Sequence, residues 1–218
     1  CIPPKANADF VCAMEDVLEV YQRHYEEDEV LICMDETSKQ HIKETRIPLP
    51  TRPGEPERID YEYERNGVSN LFMLFAPLEG WRHVKVTDRH TKVDWAQLIK
   101  ELVDEHHPTK KIILVMDNLN THKLGSLYEA FEPAEARRIA DRLEIHYTPK
   151  HGSWLDMAEI EIGVLSRQCL DRRLPDQETL KREINAWQNT RNQKAIRVDW
   201  RFTAEDARTK LKSLYPSI

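Results

Sequence analysis

Val30-Leu31-Ile32-Cys33-Met34-Asp35-Glu36 and Ile112-Ile113-Leu114-Val115-Met116-Asp117-Asn118 are the two stretches from which the fold is read. Each is a short unbroken apolar run that stops at a carboxylate. Runs of this length, bounded by polar residues, read as strands buried on both faces, as in a sheet covered by helices. Ligand sites in open α/β sheets gather at the carboxyl ends of such strands. One Asp in that place is commonly a helix cap or a turn former. Two of them, Asp35 and Asp117, suggest a shared site, with Glu36 and Asn118 beside it.

The segments around these strands supply the rest of a mixed sheet with helices on its faces. A helix is expected over 7–27, where Phe10, Val11, Met14, Val17, Leu18 and Tyr21 recur at helical spacing. Pro48, Pro50, Pro53 and Pro56 make 45–57 an extended loop. Alternation at Ile59, Tyr61 and Tyr63 suggests a strand over 58–66, and Asn66-Gly67 reads as a hairpin turn. Strands follow at 71–76, 81–86 and 143–147. Helices are expected at 92–106, 125–142 (broken at Pro133), 154–170, 176–193 and 203–214. The expected organisation is a linker helix (1–28), a catalytic domain (29–195) and a C-terminal helical extension (196–218).

Composition narrows the function. The 218 residues carry 32% charged and 40% hydrophobic side chains, which is globular but polar. The longest apolar runs are too short to span a bilayer, and no secretion signal is evident. Four cysteines without a CxxC pair exclude a disulfide scaffold and a thiolate zinc site, and fit a reducing cytoplasm. The net charge of −6 argues against a dedicated non-specific nucleic-acid binder. The charge is uneven, however: residues 181–218 carry nine bases against four acids, while residues 1–36 are strongly acidic. One end can therefore face phosphates, although two solvated surfaces of opposite sign are the plainer reading. The chain begins at Cys1 rather than Met, so a trimmed N-terminus is expected.

A third carboxylate comes from the helix at 154–170, whose apolar stripe is Leu155, Ala158, Ile162, Leu165 and Cys169. At roughly 100° per residue, Glu159 falls about 80° from the stripe centre, on the shoulder of the buried face. Glu161 falls about 80° away on the other shoulder and is kept as the weaker candidate. Asp156, about 140° away, should be solvated or should cap the first turn. Three carboxylates on two strands and a helix would suit Mg²⁺ or Mn²⁺, which bind through oxygen. Two such ions can hold the attacking and leaving oxygens of a phosphoryl displacement. A nucleophile elbow, a dinucleotide fingerprint and a phosphate-binding P-loop are all absent. His122 is within reach of Asp117, with a capping role equally open. His106-His107 ends a helix without a matching ligand cluster, so a solvated or capping role is expected.

At these residues the chain resembles the bacterial insertion-sequence transposases of the mariner-like superfamily, specifically the insertion sequence 630 family. The matching stretches are MDET (34–37), RPGEPERIDYEYERNG (52–67), VMDNLNTH (115–122), HYTPKHGSWLDMAEIE (146–161), SRQCLDRR (166–173) and FTAEDARTKL (202–211). The resemblance implies an RNase H-like fold and an acid triad that falls on Asp35, Asp117 and Glu159. It implies two Mg²⁺ ions, with Mn²⁺ substituting. The implied activity is hydrolytic cleavage at element ends, then transfer of the freed 3′-OH into a TA target. DNA is the implied partner, with a homodimer in the transposition complex and a cytoplasmic, nucleoid-associated setting.

Two departures accompany the resemblance. The family usually has Asn where this chain has Asp156. An extra carboxylate there could repel Glu159 or recruit metal. The family also carries N-terminal helix-turn-helix modules, and nothing in this chain looks like them. Phosphate contact is then expected from Lys150, His151, Arg167, Arg172, Arg173, Lys181 and Arg182. The competing readings are a structure-selective nuclease or resolvase on the same fold, and a non-catalytic DNA-binding remnant.

Overall fold

The computed structural model describes residues 5–45 and 62–216. Helix α1 (Ala8–Gln22) is capped by Asn7, whose Oδ1 accepts the Phe10 N–H at 3.0 Å. It ends earlier than the periodicity predicts. The acids Glu26, Glu27 and Asp28 would oppose the dipole at a helix C-terminus, and the chain turns extended at Arg23. Five strands follow in the spatial order β3-β2-β1-β4-β5. They are β1 (Glu29–Glu44), β2 (Tyr63–Ala76), β3 (Trp81–Thr87), β4 (Lys111–Met116) and β5 (Leu143–Tyr147). β1 pairs antiparallel with β2 and parallel with β4, so the sheet is mixed as predicted.

Two expectations in this region are corrected. The first strand does not stop at Asp35 but runs on to Glu44, paired to β2 on both sides of a bulge at His41. Residues 37–44 have no apolar run to announce a strand. Their backbone is held by the ladder, and His41 is buried against Ser69, Nε2 to Oγ 2.8 Å. Asn66-Gly67 is not a hairpin turn either. It lies inside β2, where Gln40 faces Val68 and Ile42 faces Arg65, so two β2 residues oppose His41. Gly67 takes the positive φ of +92° at this bulge, a conformation that favours glycine. The expected proline loop and the Ile59 and Tyr61 alternation lie outside the described residues.

The helices are α2 (Lys92–Glu101), α3 (Leu124–Ala130), α4 (Pro133–Ala140), α5 (Met157–Leu165), α6 (Gln177–Gln193) and α7 (Ala204–Lys210). π turns continue α2 over Leu102–His106 and α5 over Ser166–Leu170. The break at Pro133 falls where expected, with proline starting α4.

Strand alternation divides the core. Leu31, Cys33, Ile113 and Val115 point to one face, where α1, α5, α6 and α7 pack. Val30, Ile32, Met34, Ile112, Leu114 and Met116 point to the other, under α2, α3 and α4. Residues of α1 and α7 thus share a core with the sheet. Among the described residues, no helix is long and apolar enough to cross a membrane. Cys12, Cys33 and Cys169 are free thiols.

Candidate active site

The same alternation sets the site. Asp35 follows Leu31 and Cys33 in phase, and Asp117 follows Ile113 and Val115. Both therefore lie on the face covered by α5. β1 and β4 are adjacent and parallel, with Met34 opposite Met116, so the two acids are neighbours. Glu159 sits in the first turn of α5. These three, with Thr148, Pro149, His151, Ser153 and Asp156, line one cleft of about 300 Å³. A larger groove of about 500 Å³ near Trp187 has one carboxylate, Glu183, and that is paired to Arg172.

Burial raises the Asp35 carboxyl to about 7, and the negative charges of Glu36, Asp117 and Glu159 add to the effect. The Glu36 backbone N–H, 2.8 Å from Asp35 Oδ1, opposes it. Asp156 caps α5 as one of the two expectations had it, its Oδ1 accepting the Ala158 N–H at 2.8 Å. The alternative of a solvated Asp156 is corrected: the residue is 3% exposed. Helical angle alone does not place a cap residue, which has left the helix and turns back over the first turn. Burial, then Asp35, then Asp117 and Glu159, push its carboxyl well above the usual range. Its Oδ2 is buried without a hydrogen-bond partner. Tyr21 of α1 braces this corner by donating its hydroxyl to the Leu155 carbonyl at 2.6 Å.

His122 lies behind Asp117 and is fully buried. Its Nδ1 is 2.5 Å from Asp117 Oδ1 and its Nε2 is 3.0 Å from Glu36 Oε2. Burial works against its charge, but the hydrogen bonds to Asp117 and Glu36 prevail and lift it to about 9. The close cluster Glu36–Asp117–His122 reads as an ion triad that holds Asp117 in place. Asn118 is exposed beside it.

Glu161 is turned away from the cleft. It is 2% exposed and pairs with Arg82 Nε at 2.9 Å and Arg191 Nε at 2.7 Å, tying α5 to β3 and α6. Its place as a near-site candidate is corrected accordingly, because the basic partners come from segments too distant in sequence for helix phase to show.

Of the expected phosphate contacts, His151 lines the cleft, with Lys150 exposed next to it in the same turn. Arg167 is exposed on the π turn after α5. Arg172, Arg173, Lys181 and Arg182 are instead committed to Glu183, Glu44, Glu178 and Glu183. Thr148 and Ser153 also line the cleft, and their place in the HYTPKHGSWLDMAEIE stretch is the one signal of this in the sequence. The turn that carries them is tight: a Cβ on Gly152 would meet Pro149 Cγ at 2.6 Å.

Clustered carboxylates at the carboxyl ends of adjacent parallel strands, closed by a helix, offer the oxygen donors that a divalent cation binds. The chain belongs to the DDE superfamily endonucleases, whose family profile matches residues 30–181. Its fold is that of the Mos1 mariner transposase catalytic domain, RNase H-like: TM-score 0.55, 12% identity, covering 90% of this chain and 96% of that one. It is also similar to the Mos1 strand transfer complex, with TM-score 0.62 and 13% identity over 100% of this chain and 65% of that one. The Mos1 paired-end complex with Mg gives TM-score 0.59 and 13% identity, over 100% and 66%. The chain spans 60–66% of the transposase length in such DNA complexes. Among curated proteins no sequence matches.

Proposed function

We propose that this chain is the catalytic domain of a DDE transposase of the insertion sequence 630 type. It cuts DNA at element ends and joins the freed 3′-OH to target DNA at TA. The observation that carries the reading is the convergence of Asp35, Asp117 and Glu159 on one cleft. Residues 29–195 are assigned the chemistry. Residues 1–28 and 196–218 are flanking segments that buttress it. DNA ends and target are the partners, a homodimer is the working assembly, and the setting is the bacterial cytoplasm.

The donor set fits a hard divalent cation. All the acids offer oxygen, Asp156 Oδ2 is buried without a partner, and burial, with the acidic neighbours adding to it, raises the Asp35 carboxyl to about 7. Asp35, Asp117 and Glu159 would hold Mg²⁺ or Mn²⁺, with Asp156 bordering them; the similar Mos1 complexes include one with Mn. When bound, two such ions supply charge neutralisation to the attacking and leaving oxygens of an in-line displacement. The protein's own part is positioning. β1 and β4 fix the two aspartates, α5 fixes the glutamate, and His122 orients Asp117. Lys150, His151 and Arg167 remain available for the DNA backbone.

The test is cleavage and strand transfer on duplexes carrying an element end, with Mg²⁺, Mn²⁺ or Ca²⁺ and with EDTA. Expected are cleavage with the first two, loss with EDTA, and joining of a pre-cut 3′-OH end. Cleavage without joining would favour the nuclease or resolvase reading. Cleavage that survives EDTA would overturn the metal-dependent one.

A further inference from the structure

We propose that His83, Glu101 and His106 form a second cation site suited to Zn²⁺. They come from three places: edge strand β3, the last residue of α2, and the last residue of the π turn. In an α-helix residues five apart lie about 140° apart around the axis. Here the backbone closes i→i+5, with the His107 N–H donating to the Leu102 carbonyl at 2.9 Å. That wider turn brings Glu101 and His106 to one side. Alternation along β3 presents His83 to the same point.

The donor atoms converge. Glu101 Oε1 is 3.2 Å from His83 Nε2 and 3.7 Å from His106 Nε2. All three donor atoms lie within 4.8 Å of one another. Metal bonds of about 2.0–2.1 Å at tetrahedral angles place ligand atoms roughly 3.3 Å apart, so these separations bracket the requirement. Both Nε2 atoms are buried and make no well-directed hydrogen bond. The other Glu101 oxygen is held by Lys85 Nζ at 2.5 Å, which fixes the carboxylate with Oε1 toward the imidazoles. Trp81 walls the site, its ring 5.0 Å from His106 and stacked on His83 at 6.3 Å.

Two imidazoles and one carboxylate favour Zn²⁺ over Mg²⁺ and leave a fourth position for water. The site is separate from the acid cleft. His83 stands opposite Leu74, and Leu74 opposite Met34, on the sheet face away from Asp35. A cation there would pin the edge strand to α2. Sequence did not show that His106 has ligand neighbours, because His83 lies 23 residues earlier, on a strand.

The test uses the full chain stripped with chelator, in an Asp117→Asn background that disrupts the Glu36–Asp117–His122 group. Zn²⁺ is titrated by calorimetry, and Co²⁺ by visible absorption. The expected result is one equivalent bound, tetrahedral Co²⁺ bands, and a melting temperature raised by Zn²⁺. Affinity should fall at least tenfold in His106→Ala and in Glu101→Gln, with the far-ultraviolet circular dichroism unchanged. If His106→Ala does not fold, His83→Gln replaces it. No saturable binding, or binding unchanged in these variants, would overturn the proposal and leave a plain imidazole–carboxylate ion pair.

Discussion

At the scale of single residues, the cleft is under electrostatic strain that a cation or a proton relieves. Asp35→Asn, Asp117→Asn and Glu159→Gln should each lower DNA cleavage by more than about 100-fold, beyond the loss typical of an outer-shell partner. Melting temperatures without metal should hold or rise in Asp35→Asn and Glu159→Gln, which remove a repelling charge, and fall in Asp117→Asn, which takes a partner from the buried His122. Full cleavage by any of the three would remove that residue from the triad. Stability should also depend on pH in a definite direction. Asp35 is raised from 3.8 to about 7 on folding, so between these values the unfolded chain has released a proton that the folded chain keeps. Stability from this group therefore falls as pH rises from about 4 to 7. His122, raised from 6.5 to about 9, contributes stability below about 6.5 that is lost as pH passes through 9. Denaturant titrations of metal-free protein should show both arms. Asp35→Asn should flatten the first and His122→Gln the second.

Among elements, α5 is the piece whose seating matters most. Its N-terminus is braced by Tyr21 and capped by Asp156, while its middle is tied to β3 and α6 through Glu161. Arg82 is fully buried, so Glu161→Gln leaves a buried guanidinium without its counter-charge. Losing one partner of a buried pair costs about 3–5 kcal/mol. Glu161→Gln should therefore lower the denaturant midpoint markedly. Below its melting temperature it should retain metal-dependent cleavage, as no triad variant would. Cleavage loss as deep as in Glu159→Gln, with stability intact, would move the third acid to Glu161.

For the whole molecule, the net charge is −6, and four of the seven expected phosphate contacts are already paired to acids. DNA binding by this chain should be weak and indifferent to sequence. It should fall steeply with salt, at a slope set by the few phosphates neutralised. Lys150→Ala and Arg167→Ala should each reduce the slope. Arg182→Ala should reduce it less, because Glu183 holds that guanidinium. Titration against element-end and scrambled duplexes at two salt concentrations checks this. A clear preference for the element end would mean that the chain carries its own base-reading element.

The sequence alone determined the two central strands with their aspartates and the mixed sheet, because these rest on local rules, whereas Glu159 was preferred to Glu161 only through the family resemblance. An apolar run must be buried, a strand alternates its faces with period two, and a helix turns about 100° per residue. Those rules hold wherever the segment lies. Only the tertiary structure decided the rest. β1 outran its apolar run because a neighbouring strand satisfies its backbone, and Gly67 became a bulge because register is a property of two strands. Asp156 became buried, Glu161 became an ion-pair anchor and His106 gained a partner, each through residues distant in sequence. A polar side chain's energy depends on which charges surround it and how much water is excluded, and neither is set by its neighbours along the chain.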